Sequence, residues 1–322
     1  MLTASHALGF RTGCFSCHSH WSSEELATLN KILAQYHGEA SADPETIASL
    51  EDAAPLRASI RVEIPRLADL ADQIAEELEG RHSAIVIDRL NIDSLDLNTK
   101  RRLLYGLCLA MGWPTPTDKV RRQIIWDIKS RSLPKGQVST FSENMAEALL
   151  LTDTQYFLHP ERYTILYVVQ PAQEGGISMI RDGRHVREAL EQTEEGSWAL
   201  RYLSTNPLPF RIPTSYTAQR KQDVVEFTFA PIFSDRPLIR YRRDTLEAGL
   251  AACPQYRTAD VQNALRILES VLDTTDDVLT TALPADSILI MNNHEGLHGR
   301  TEFDDPDRHL IRIRISDVPP VA

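Results

Sequence analysis

The sequence predicts an α+β protein with a mainly β core. The expected core is a double-stranded β-helix, the jelly-roll or cupin-like barrel, with a helical N-terminal region and helical inserts. Three observations predict it. Helix and strand patterns mix over residues 1–135, whereas strand patterns carry the core from 136 to 322. Those strands recur at intervals with helices inserted at about 184–285, which suits a decorated barrel. A doubly wound parallel sheet would need regular strand–helix alternation and a Gly-rich phosphate turn, and Gly175-Gly176 alone does not make one. A single domain over 1–322 accommodates this length.

Each element has a local reason. Ser22 and Ser23 can cap a helix over residues 22–36, whose Leu26, Leu29, Ile32 and Leu33 form an apolar stripe. The Ala-, Ser-, Asp- and Glu-rich stretch from Gly38 to Pro55 reads as a mobile connection with a short helix. Pro65 opens a second helix with Leu67, Leu70, Ile74 and Leu78 on one face, and Gly80 ends it. Residues 83–88 read as a buried strand. Asn98 to Met111 reads as a helix stopped by Gly112 and Pro114, and 124–128 as another strand. Tyr163 to Val169 is rich in β-branched and aromatic residues, as strands are. A Gly175-Gly176 turn, a short strand over 177–180, helices near 184–192 and 196–204, and a strand over 224–233 follow. The last helix covers 260–272, and a buried strand over 287–291 leads into a polar stretch.

Composition narrows the classes. With 34 Lys and Arg against 45 Asp and Glu the net charge is -11, which argues against broad nucleic-acid or anionic-membrane binding. A local basic pocket stays compatible with it. No run of about 18 apolar residues exists, and Met1 to His6 lacks a basic start before an apolar core, so a cytoplasmic protein is expected. A homo-oligomer is allowed; oligomeric state leaves no mark. Cys14, Cys17, His18 and His20 match a haem-attachment pattern and resemble a cramped zinc site, but such short patterns arise by chance and ordinary roles are expected.

The chemistry concentrates near the C-terminus. Asn292 to Thr301 reads as a polar turn carrying a candidate metal ligand, His298. Ten residues beyond it, Arg308, Leu310, Arg312 and Arg314 point one way along a strand and His309, Ile311, Ile313 and Ile315 the other. A row of guanidinium groups suits a carboxylate, which Arg grips through two parallel hydrogen bonds, although a solvated basic face would show the same pattern. The run Arg236, Arg240, Arg242, Arg243 is expected to be such a solvated face.

Three pieces, Leu151-Thr152-Asp153-Thr154-Gln155-Tyr156, Glu174-Gly175-Gly176-Ile177-Ser178 and the stretch from Asp286 through Thr301, assemble in order. Their order and spacing resemble the taurine dioxygenase-like (TauD/TfdA) and clavaminate synthase-like iron(II)/2-oxoglutarate oxygenases over roughly Ser139 to Ser316. The resemblance implies Fe(II) and 2-oxoglutarate as cofactor and cosubstrate, O2 as oxidant and a small-molecule substrate. By resemblance Asp153 matches the carboxylate ligand, His298 the distal His, Ser178 and Arg308 the grip on the far carboxylate of 2-oxoglutarate, and Arg312 a second arginine reaching cosubstrate or substrate. Asn293 and Arg300 flank the distal His and would orient it. Asn144, Gln155, Tyr156 and Trp126 are candidates for the substrate pocket.

One position departs. Where the family has its first His this chain has Leu151, which has no lone pair. His159 or His294 could substitute, or the chain could have kept a binding pocket without iron chemistry. The leading expectation is an oxygenase that hydroxylates or desaturates a small polar metabolite, such as an amino acid or amine derivative. The alternative is a non-catalytic or atypical-metal member that binds a small carboxylate. A cupin-like metal enzyme without 2-oxoglutarate is a third reading.

Overall fold

The computed structural model describes residues 10–12, 20–37, 50–117, 123–132, 140–213 and 226–319. The N-terminal region supplies β1 (Phe10–Thr12), α1 (Ser23–His37), α2 (Leu50–Glu63), α3 (Pro65–Leu78), β2 (Ala84–Ile87), α4 (Leu97–Met111), β3 (Trp113–Thr115) and β4 (Trp126–Ile128). Then come β5 (Ala148–Leu151), β6 (Tyr163–Gln170), β7 (Ser178–Asp182), α5 (Gly183–Glu191), α6 (Glu194–Thr205), β8 (Leu208–Arg211) and β9 (Phe227–Ala230). The chain continues through α7 (Arg243–Ala252), α8 (Ala259–Leu272), β10 (Val278–Thr281), β11 (Ile288–Asn292), β12 (Gly296–Arg300) and β13 (His309–Ser316).

Two sheets form the jelly-roll. The larger has the order β1-β2-β11-β6-β13-β3, with β4 also on β13, and the smaller has the order β10-β7-β12-β5. The sheets face one another through Val86, Val168, Leu289 and Leu310 of the larger and Ile180 of the smaller. The outer face of the larger sheet is covered by α1–α4, against which Ile311, Ile313, Ile315, Ile165 and Tyr167 pack. This is the alternation expected of β13: its isoleucines enter the helical core, about 2 kcal/mol each from burial, and its arginines turn toward the smaller sheet. A basic face that could have been solvated is therefore enclosed, with Arg308 and Arg314 each 5% exposed. The helices α5–α8 form a second apolar body around β8 and β9. No helix among the described residues is long and apolar enough to cross a membrane.

Local expectations mostly shift by a residue or two, and four differ in substance. The short helix expected within the connection up to Pro55 begins at Leu50 but runs on through Pro55 to Glu63, because buried Leu56 and Ile60 hold α2 against its neighbours and override the proline. The polar stretch after Asn292 is a turn only over 293–295; His298 stands on β12, paired on both sides inside a sheet. The stretch expected as insert contains β10, which rejoins the smaller sheet beside β7. The arginine run is split rather than solvated. Arg240 is buried and donates to the carbonyl oxygens of Gln155, Phe157 and Leu158, while Arg242 turns inward and Arg236 stays outside. Isolated residues carry no signal for this, because the carbonyls that hold Arg240 come from a loop some eighty positions earlier. Cys14, Cys17 and His18 lie outside the described residues, and His20 is exposed.

Because β4 alternates, Trp126 and Ile128 face the smaller sheet and Asp127 faces the helices. Asp127 accepts from Arg101 of α4 at 2.5 Å and from His309 of β13 at 2.7 Å. Burial opposes its charge, but these two donors prevail and bring its pKa down to about 2. A depressed carboxyl contributes stability above its unfolded pKa of roughly 4 and loses it as pH falls through the folded value. Asp127→Ala should therefore cost about 3 kcal/mol at neutral pH. The deficit should shrink between about pH 4 and pH 2. Urea denaturation across that window checks it; a constant deficit would mean that the carboxylate charge is not what ties β4 to α4.

Candidate functional site

Between the two sheets lies a cavity of about 150 Å³. From the larger sheet Trp126, Leu166, Leu310, Arg312 and Arg314 line it, with Arg308 just ahead of β13. From the smaller sheet come Leu151, Ser178, His298 and Arg300, and Asp153, Tyr156 and Arg242 lie beside them. The cavity thus gathers Asp153, Ser178, His298, Arg308, Arg312, Tyr156, Trp126 and Arg300, eight of the residues singled out from sequence.

Asp153 is aimed by its backbone. Leu151 ends β5, and Thr154 adopts φ 51°, a turn that a β-branched residue enters only under constraint. The constraint is Asn293. Its Oδ1 accepts from Asp153 N at 2.7 Å, and its Nδ2 donates to Asp153 O at 3.0 Å and Glu161 O at 2.8 Å. The Asp153 carboxylate accepts from Thr164 Oγ1 at 3.3 Å. Arg312 Nη1 lies 3.7 Å from Oδ1 and Arg314 Nε 3.7 Å from Oδ2. Burial pushes the Asp153 pKa up, but Arg312 and Arg314, then His298 and Arg242, outweigh it and hold the carboxyl well below its usual range. Burial lowers the pKa of His298, with Arg312, Arg242 and Arg314 adding to it and the Asp153 charge opposing it.

The far end is built differently. Arg300 donates to the carbonyl oxygens of Phe141 (2.6 Å), Asn144 (2.6 Å) and Ala146 (2.9 Å), which fixes the segment that roofs the cavity. Arg308 lies against the ring of Phe303, 4.8 Å from its centroid, and its guanidinium makes no hydrogen bond or ion pair with a described residue. Burial lowers its pKa to about 10, which leaves it charged at neutral pH. Its approach depends on Gly176, at φ +61°, where a Cβ would meet Arg308 Nε at 3.0 Å. Gly176→Ala is expected to displace Arg308 and weaken anion binding in the cavity about tenfold, with the melting temperature lowered by a few degrees. Calorimetry with 2-oxoglutarate checks it, and unchanged affinity would separate Arg308 from recognition.

The other candidates lie elsewhere. His159 is exposed, and His294 Nε2–H donates to Pro160 O at 2.9 Å in the turn before β12; neither lines the cavity. Gln155 Nε2 donates to Thr245 Oγ1 at 2.6 Å away from the lining, and Asn144 offers its carbonyl to Arg300 from outside it. Sequence reasoning missed Arg242 as a lining group. It arrives from the loop ahead of α7, paired with Asp244 at 2.7 Å, and nothing local marks it as inward.

A three-ligand iron centre does not fit these residues. Leu151 sits directly opposite His298 in the β5–β12 register and lines the same cavity, and a leucine side chain has no lone pair to offer a metal. Among the described residues no three His, Cys, Asp or Glu side chains converge to hold a metal ion.

Two facing antiparallel sheets with an Asp–His pair and arginines between them are the architecture of jelly-roll oxygenases. The chain belongs to the taurine catabolism dioxygenase TauD, TfdA family, whose model matches residues 49–314. Among solved structures it is similar to an asparagine oxygenase in complex with Fe(II), 2S,3S-3-hydroxyasparagine and succinate, at 16% identity and TM-score 0.64 over 96% of this chain and 94% of that one. It is also similar to the non-heme iron oxygenase OrfP in complex with Fe and alpha-ketoglutaric acid, at 17% identity and TM-score 0.61 over 96% and 94%. At such identity these likenesses concern the fold. No curated protein sequence matches the chain. The family uses iron(II) and 2-oxoglutarate, and this chain has its fold.

Proposed function

We propose that the cavity binds a small dicarboxylate of the 2-oxoglutarate class. Arg308 and Ser178 take its far carboxylate, and its other end lies toward His298 and Arg312. The observation that carries this reading is Arg308: an enclosed guanidinium with no partner among the described residues, facing a cavity that also holds Ser178. A buried cation without a partner is costly, and a ligand carboxylate that grips it through two parallel hydrogen bonds removes the cost. Five arginines line the cavity against one aspartate, so an anionic ligand matches its charge. Calorimetry with 2-oxoglutarate, succinate and a monocarboxylate of similar size tests it. The dicarboxylates should bind and the monocarboxylate should bind far more weakly. Equal affinity for all three would defeat the reading.

A second reading is oxygenase turnover on an amino acid or amine derivative by hydroxylation or desaturation. What favours it is that Asp153 and His298 line one cavity and are electrostatically coupled. It requires a third metal ligand that the described side chains do not supply. Substrate-dependent succinate release under air with iron(II) and 2-oxoglutarate tests it; no succinate with a panel of amino acids counts against it.

A further inference from the structure

We infer that Arg312 and Arg314 have replaced a metal ion as the counter-charge of Asp153, so that this chain binds its ligand without a divalent cation. The inference builds on the dicarboxylate reading for the ligand, but its metal half stands on geometry alone.

An aspartate buried in a low-dielectric cavity needs positive charge nearby. In this cavity the need is met from the chain itself. One guanidinium lies 3.7 Å from each carboxylate oxygen, and a threonine hydroxyl adds a third contact at 3.3 Å. A metal bound to the same carboxylate would have to sit beside both guanidinium groups. Like charges at that range in a dry site repel strongly. On the side of the cavity where a second imidazole would pull the ion away from them stands Leu151, 7% exposed and apolar. The loss of the imidazole and the pairing of Asp153 with arginines are complementary. Together they convert a place for a dication into a closed ion cluster, and His298 remains as a hydrogen-bonding group lining the cavity.

Arg312 has capacity to spare. Its Nε is buried without a hydrogen bond to any described group, and its only described ion pair is the long one to Asp153. It therefore neutralises Asp153 at a distance while its side chain lines the cavity. In this arrangement a second anionic group of the ligand docks on Arg312, where a metal would otherwise have taken it.

The test uses the full chain and Mn(II) as the probe, read by the electron paramagnetic resonance signal of the free ion. The signal of equimolar Mn(II) should be unchanged by the wild-type protein; tight uptake of one ion per chain overturns the inference. In the background of Leu151→His, the additional change Arg312→Met should tighten Mn(II) binding by at least about tenfold, because it removes a competing charge. No gain from that change also overturns it. Calorimetry with 2-oxoglutarate in chelator and in excess Mn(II) should give affinities equal within about twofold, since no ion takes part. Tightening by Mn(II) of about tenfold or more counts against metal-free binding. Absence of heat in both conditions retires the dicarboxylate reading, and the Mn(II) measurements then still decide whether the ion cluster excludes a metal.

Discussion

Arg308→Met is expected to lower affinity for 2-oxoglutarate by roughly 100-fold, about 3 kcal/mol, while leaving the unliganded protein as stable as before or slightly more so. The two effects have one cause. Arg308 is 5% exposed and, among the described residues, its guanidinium meets only the face of Phe303, so its charge is desolvated with little return. Methionine fills much of the same volume, stays against the ring and carries no charge, and replacing an uncompensated buried ion with an apolar side chain is neutral or favourable. The ligand loses its bidentate partner. Calorimetry and thermal denaturation on the same preparations check both halves. A large loss of stability would show that the guanidinium has a structural partner. An unchanged dissociation constant would show that the carboxylate binds elsewhere.

Leu151→His is expected to create metal affinity where there was little, a gain of at least about 100-fold for Mn(II) or for iron(II) without oxygen. Position 151 faces His298 across the ladder, and Asp153 follows two residues later, so an imidazole there would complete a carboxylate and two histidines around one point. The leucine side chain is nearly buried in the cavity wall, and histidine occupies similar volume, so the change should cost no more than about 2 kcal/mol of stability. Metal titration followed by the Mn(II) signal reads the gain. No gain in this variant, and none after Arg312→Met is added to it, would mean that β5 does not aim position 151 at the same point as His298.

The patterning made much of this legible. The double-sided character of β13 follows from strict alternation of Ile and Arg, because a strand has only two faces and one of them had to enter a core. The grouping of Asp153, Ser178, His298 and Arg308 was implied by the resemblance of their motif order to the family, and all four line one cavity. Less visible were groups placed by loops. Arg242 lines the cavity and Arg240 braces the loop after Asp153 although the two are near neighbours in one basic run. His159 and His294 looked equally eligible as ligands, and what distinguishes them from His298 is only where their backbones travel. His159 ends in solvent, and His294 is turned to a proline carbonyl.

The chain by itself determined the fold class, the two faces of the arginine strand and the presence of an apolar Leu151 two residues before Asp153, because all three are local: periodicity, spacing and the chemistry of one side chain. Only the tertiary structure decided what surrounds that aspartate. Sequence separation of some 160 residues lies between Asp153 and the arginines that neutralise it. Whether a lone carboxylate keeps a place open for a metal or is closed off by guanidinium groups depends on distances of a few ångströms across two packed sheets, and electrostatic energy in a dry cavity is set by those distances.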